Sequence, residues 1–155
     1  MKKTLLSAFL TFGFIAAAGI FSAAGAQSVT GSLGAVKRGG AAKGTVVMTI
    51  PGGLHVNSNR PNSQYAIPTS VKISGQNVKL SAVSYPRGQN RKFQFSESTI
   101  NVYEGRAVFN FNVTVPANFR GNTVKVRAVV RYQACTEEVC YPPKTQEVTL
   151  TANVK

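Results

Sequence analysis

The sequence predicts an all-β fold, an antiparallel sandwich, on three observations. From Gly44 onward, short runs rich in Val, Ile, Thr, Phe and Tyr alternate with turn signals built from Gly, Pro and Asn. No stretch in that region keeps a helical period over ten or more residues. Two long late runs alternate apolar and polar side chains with a period of two, as half-buried strands do. About eight short strands at this spacing fit a sandwich of immunoglobulin type. The chain has no Trp and no widely spaced cysteine pair, which argues against a true antibody-like domain. A small barrel is the architectural alternative.

The elements follow in order. Residues 1–26 read as a secretory signal peptide: Met1-Lys2-Lys3 is a positive start, residues 5–21 are almost wholly apolar or small, and Ala24-Gly25-Ala26 offers a cleavage site. The apolar stretch is broken by Gly13 and Gly19 and lacks a basic stop-transfer flank, which argues against a retained anchor. Cleavage near Ala26/Gln27 leaves a mature part with no run approaching ~18 consecutive apolar residues, hence no transmembrane segment, in the periplasm or outside the cell. Residues 27–43 are Gly-rich and polar, a flexible segment with room for one edge strand, and residues 44–155 form the sandwich domain.

Within that domain, residues 45–50 form a strand closed by Pro51-Gly52-Gly53, and residues 54–57 a second short one. Val71-Lys72-Ile73 and residues 78–85 follow on either side of the Gly75-Gln76-Asn77 turn. Pro86-Arg87-Gly88-Gln89-Asn90 is a loop, and residues 100–103 form a short strand ended by Glu104-Gly105. In residues 106–115, Phe109, Phe111, Val113 and Val115 share the core face. In the next run Val124, Val126, Ala128, Val130 and Tyr132 alternate against Lys125, Arg127 and Arg131. Residues 147–154 form the last strand.

The chemistry concentrates in the only two cysteines, Cys135 and Cys140, between that penultimate strand and Pro142-Pro143. Closing so short a loop removes only ~2 kcal/mol of unfolded-state entropy, against ~4.7 for a hundred-residue loop, so the pair is a poor staple. A pair that opens and closes at a loop tip points instead to thiol–disulfide exchange. A hairpin there could bring the two Cα atoms within the roughly 4.4–6.8 Å a disulfide needs. If the strand holds its period, Cys135 stands on the basic face with Lys125, Arg127 and Arg131, where a guanidinium favours the thiolate. Glu137 and Glu138 oppose that effect. An inert hairpin disulfide in a non-enzymatic binding module is the competing reading. Two thiols and one distant His are too few for a zinc site, so no metal is expected.

Without Lys2 and Lys3 the chain carries 16 basic and 5 acidic residues, a formal charge of +11, and no Asp. The basic residues are scattered singly and lack the aromatic interleaving of a nucleic-acid interface, which export also disfavours. The charge describes a solvated basic surface.

The string Tyr132-Gln133-Ala134-Cys135, followed by Cys140-Tyr141-Pro142-Pro143, closely resembles the active-site hairpin of the N-terminal domain family of thiol:disulfide interchange protein DsbD, also known as the disulfide bond corrector domain. Pro51-Gly52-Gly53-Leu54-His55-Val56-Asn57 resembles that family's early Pro-Gly-(aromatic)-His-(Val/Ile)-Asn segment, with Leu54 where an aromatic is usual. Ile67-Pro68-Thr69, Tyr85-Pro86 and Val102-Tyr103-Glu104-Gly105 fall in the family's order, so the resemblance spans roughly residues 44–153. It implies an immunoglobulin-like sandwich whose cysteine pair relays reducing equivalents without a cofactor. The implied donor is a thioredoxin-like domain or membrane electron carrier, and the implied acceptor a periplasmic disulfide isomerase or a cytochrome c maturation thiol protein. By the same resemblance Cys140 forms the mixed disulfide and Cys135 resolves it. A cap loop at residues 91–96, with Phe93 or Phe95 as the shielding ring, covers the pair. The chain stops at Lys155, short of the membrane bundle and thioredoxin-like domain of the full-length relay, so a free-standing module is expected. Tyr132, Tyr141 and His55 are candidates for a partner-docking rim. Tyr132 equally follows the core parity, and His55, the only histidine, is a candidate base within reach of a sulfur or a structural imidazole.

Overall fold

The computed structural model describes residues 27–155, so the signal peptide expected over residues 1–26 lies outside the described residues. Among the described residues every regular element is a strand: β1 (Ser28–Leu33), β2 (Ala41–Thr49), β3 (His55–Asn57), β4 (Ser70–Gly75), β5 (Lys79–Leu80), β6 (Gln89–Arg91), β7 (Ile100–Tyr103), β8 (Arg106–Thr114), β9 (Thr123–Tyr132), β10 (Ala134–Cys135) and β11 (Lys144–Asn153). They pair antiparallel in three sheets, ordered β1-β2-β8-β5, β11-β9-β4 and β10-β3-β7-β6. The all-β immunoglobulin-like sandwich read from the alternating pattern is the observed fold.

The alternation that predicts β8 and β9 is realised in full. Phe109, Phe111 and Val113 of β8, and Val124, Val126, Ala128, Val130 and Tyr132 of β9, are buried in one cluster with Val46 and Met48 of β2 and Leu150 of β11. Lys125, Arg127 and Arg131 point outward from β9, and Arg127 pairs there with Glu147 of β11. This is one apolar layer between two sheets, with polar outer faces.

One close approach fixes the first sheet. Gly44 of β2 lies opposite Phe111 of β8, and a Cβ at position 44 would fall inside the Phe111 ring. Only a residue without a side chain lets that aromatic lie across the strand. Gly44→Val is expected to destabilise the domain by about 1–3 kcal/mol, the usual range for overpacking. Urea unfolding of the variant checks it.

The third sheet is small and positions the site. Each of its strands β3, β7 and β10 is joined by a short break to a strand of the large sheets. Pro51-Gly52-Gly53 separates β2 from β3, Glu104-Gly105 separates β7 from β8, and Gln133 alone separates β9 from β10. Gly53 and Gly105 both have positive φ, 78° and 63°, which suits glycine at such tight breaks.

The Gly-rich segment before residue 44 supplies the edge strand it had room for, β1, paired residue for residue with β2. Its low hydrophobicity reflects close packing: a Cβ on Gly31 would collide with Leu150. Two local features differ from the pattern: Gln89 and Asn90, read as part of the loop at residues 86–90, form β6 with Arg91 on the edge of the small sheet. The long run at residues 78–85 yields only β5 and an isolated bridge between Ser84 and Asn110.

Candidate redox site

Cys135 ends β10 and Cys140 faces it across a bridge, with Thr136, Glu137, Glu138 and Val139 forming the tip. Thr136 shapes that tip. Its backbone N–H donates to Val139 O at 2.8 Å, and its Oγ1 accepts from the N–H groups of Glu138 at 3.2 Å and Val139 at 3.1 Å. Beyond the bridge, Tyr141 N–H donates to Ala134 O at 2.8 Å. The two sulfurs are joined in a disulfide, and the Cα atoms are 3.9 Å apart. That is closer than the expected span of roughly 4.4–6.8 Å, and the two residues are directly opposed across an antiparallel bridge.

The two sulfur-bearing residues differ sharply in access. Cys135 is 0% exposed, whereas Cys140 is exposed at the surface. The expectation that Cys135 shares the basic face of Lys125, Arg127 and Arg131 is therefore corrected. The period of two stops at Gln133, where the chain leaves β9's sheet and enters β3's. Ala134 and Cys135 are both buried in consequence. Such a break re-aims every side chain beyond it.

Gln133 is also the hub that locks the break. Its Oε1 accepts from Asn57 Nδ2 at 3.1 Å and Ile67 N–H at 3.4 Å, and its Nε2 donates to Tyr141 O at 3.3 Å. Asn57 Nδ2 also donates to Ile67 O at 3.1 Å. One amide thus ties together β3, the 67–69 segment and the exit of the cysteine hairpin. Gln133 and Asn57 belong to the recognised strings, but nothing in their spacing announces that they meet.

His55 of β3 lies opposite Cys135 of β10 in register. Its ring stacks on Phe93 at 4.1 Å and 14°, and Phe93 stacks in turn on Phe95 at 5.3 Å and 6°. Phe93 is buried with Ile100, Val102 and Ala66, while Phe95 is exposed. The 91–96 segment therefore contacts the side chain of the residue paired with Cys135. Arg91 forms a second link, its guanidinium 3.2 Å from Glu104 and 3.5 Å from Glu137 on the hairpin tip. This ion-pair chain joins three elements that are distant in sequence.

His55 and Tyr132 do not belong to a surface rim. Tyr132 is 0% exposed, and its hydroxyl accepts from Gln146 Nε2 at 2.6 Å. It follows the inward parity of β9 and fills the core, where burial raises its pKa above the usual tyrosine value. His55 is 2% exposed and its Nε2 has no hydrogen-bond partner. Burial holds its pKa below the ordinary 6.5; Glu137 pulls it up and Arg91 pushes it down. Tyr141 alone of the three is exposed. Among the described residues no group of three or more His, Cys, Asp or Glu side chains could hold a metal ion.

Against this geometry, the family model for the thiol:disulfide interchange protein DsbD N-terminal domain matches residues 32–152. The chain belongs to the DsbD N-terminal domain family. DsbD of Actinobacillus pleuropneumoniae is 24% identical over 97 residues, covering 63% of this chain and 15% of that protein. DsbD of Pasteurella multocida is 27% identical over 99 residues, covering 64% and 16%. The chain thus spans about a sixth of the length of these curated relatives. Among solved structures, the N-terminal periplasmic domain of ScsB from Proteus mirabilis shares the fold, with a TM-score of 0.53 at 12% identity over 82% of this chain and 46% of that one. The reduced DsbD N-terminal domain of Neisseria meningitidis aligns at 23% identity and a TM-score of 0.45, covering 81% and 88%. A disulfide-bonded pair on the DsbD N-terminal fold is a site suited to thiol–disulfide interchange. Among the described residues no helix is long and apolar enough to cross a membrane.

Proposed function

We propose that this chain is a periplasmic or secreted module that relays reducing equivalents through Cys135 and Cys140. It takes them from a thioredoxin-like protein or membrane electron carrier and passes them to exported thiol proteins, such as a disulfide isomerase or a component of cytochrome c maturation. The observation that carries this reading is the asymmetry of the pair. A thiolate can approach the exposed Cys140, whereas Cys135 is buried behind it. Exchange proceeds through a mixed disulfide at the sulfur that is attacked. Cys140 therefore forms the intermolecular bond and Cys135 leaves or returns. The fold alone does not provide this; a staple would work equally well with both sulfurs buried.

Partner docking has a surface to use. Among the described residues, the exposed large hydrophobics are Tyr65, Phe95, Val139 and Tyr141. Val139 and Tyr141 flank Cys140, Phe95 lies on the Phe93 ring, and Tyr65 precedes Ala66, which packs on the Phe93 cluster. Three of them lie on the cysteine hairpin or on the 91–96 segment whose Phe93 stacks on His55. Exposed apolar side chains beside a reactive bond suit a transient protein complex. In this reading Phe93 and Phe95 form the cap: the inner ring covers His55 beside the pair, and the outer ring meets the partner.

The reduction potential tests the proposal. Equilibration with glutathione or a thioredoxin-type dithiol is expected to open the bond within the working range of such reductants. A potential below about −300 mV, where structural disulfides usually fall, overturns the relay.

A further inference from the structure

Opening a disulfide leaves its sulfurs to take up protons, and a resolving thiol must lose its proton before it can attack. Cys140 is exposed and can trade its proton with water. Cys135 is fully buried, so its proton needs a neighbour inside the protein. The titratable side chain placed opposite it is that of His55. It stands directly opposite Cys135 in the β3–β10 register, and directly opposed side chains share one face with Cβ atoms about 4.5–5.5 Å apart. Its Nε2 is buried and unpartnered, a rare condition that calls for a physical cause. A disulfide sulfur carries no hydrogen, so the imidazole has nothing to accept until Cys135 becomes a thiol. Phe93, stacked flat at 4.1 Å, keeps the ring from turning outward to water.

We propose that His55 is the proton acceptor and donor for Cys135, a role that rests on the relay function given above. In the donating direction, the Cys140 thiolate attacks a substrate disulfide. This forms the Cys140–substrate bond and expels one substrate thiolate. His55 then takes the Cys135 proton, and the Cys135 thiolate attacks Cys140 Sγ. The internal disulfide re-forms, and the second substrate thiolate leaves to take a proton from solvent or the imidazolium. The pair loses two electrons and the substrate disulfide gains them. In the accepting direction the same steps run backwards, with the imidazolium protonating Cys135 as it departs.

The charged groups around the ring fit the role. Burial and Arg91 of β6 favour the neutral imidazole that can accept, while Glu137 of the hairpin tip supports the imidazolium that forms. Tyr103 of β7 is engaged elsewhere, donating to Asn59 Oδ1 at 2.7 Å.

The reduced protein, freed of reductant, is mixed with 5,5′-dithiobis(2-nitrobenzoic acid), and the coloured thiolate is followed in time. The first equivalent reports attack by Cys140 and the second reports resolution by Cys135. His55→Phe, which keeps the stack on Phe93, and His55→Gln are both expected to slow the second phase about a hundredfold at neutral pH. The first phase should keep its rate. In the variants the second phase should rise with pH toward the ordinary thiol range near about 8.5. In the unsubstituted protein it should level off at the lower pH where His55 loses its proton. A second phase unchanged in rate and pH profile in both variants overturns the assignment. If neither variant folds, the unsubstituted protein decides: a second phase still climbing through the thiol range overturns it. Absence of any first phase overturns the relay itself, so the two failures are distinguishable.

Discussion

Replacing Cys135 by Ser is expected to accumulate a covalent complex between this protein and its redox partner, anchored on Cys140. Cys140→Ser is expected to accumulate none. The difference follows from the access of the two sulfurs. Cys140 is exposed at the end of the hairpin tip, whereas Cys135 is enclosed beneath it and paired with β3. Without Cys135, nothing inside the protein can displace the partner from Cys140, and the intermolecular bond persists. Without Cys140, the remaining thiol is out of reach. Both substitutions remove the same short cross-link, worth only ~2 kcal/mol in the chain-entropy model, so both proteins should remain folded. The complexes are read on non-reducing gels and by mass spectrometry of the linked peptides. Recovery of equal amounts from both variants, or of none through Cys140, would sink the assignment.

Phe109→Ala is expected to produce the largest loss of stability by a single core truncation. The ring is 0% exposed and meets Tyr85 and Tyr103 edge-on, with centroids 5.5 Å and 6.0 Å away. Deleting a buried Phe side chain costs about 3–5 kcal/mol, and edge-to-face partners add about 0.5–1.5 kcal/mol each. A domain of this size has a total stability of about 5–15 kcal/mol, so the variant would be close to unfolding at physiological temperature. Denaturant unfolding checks the magnitude; a cost below about 1 kcal/mol would mean that the core relaxes around the gap.

Much of this was legible before any coordinates. The strands β8 and β9 declared themselves because an inward apolar side chain recurs at every second position along nine and ten residues. Sandwich strands with one wet face give that signal strongly. The cysteine pair, residues 91–96 and His55 were all visible as residues, and the structure brings them together on and beside the small sheet. What could not be read was how they meet. The period of β9 extrapolates Cys135 to the basic face, and only the single-residue break at Gln133 turns it inward. No local pattern marks Gln133 as a break, since its partners Asn57, Ile67 and Tyr141 lie on separate segments. The same limit hid the Arg91–Glu137 link, which joins exposed charges 46 positions apart. It hid β6 for a different reason: its residues are too polar to show an apolar period. Tyr132 shows the reverse case, where the period predicted burial correctly and the neighbouring cysteine suggested a surface role.

The small sheet of β10, β3, β7 and β6 contains strands of only two to four residues, hung from the long strands of the sandwich by brief interruptions. Segments with so few ladder hydrogen bonds exchange their amide hydrogens through fluctuations that leave the rest of the molecule intact. The cysteine pair therefore sits on a short-stranded platform whose Val56, Tyr103 and Ala134 are sunk into the main core. Amino-acid changes at its exposed positions can accumulate with less effect on folding than changes at those three.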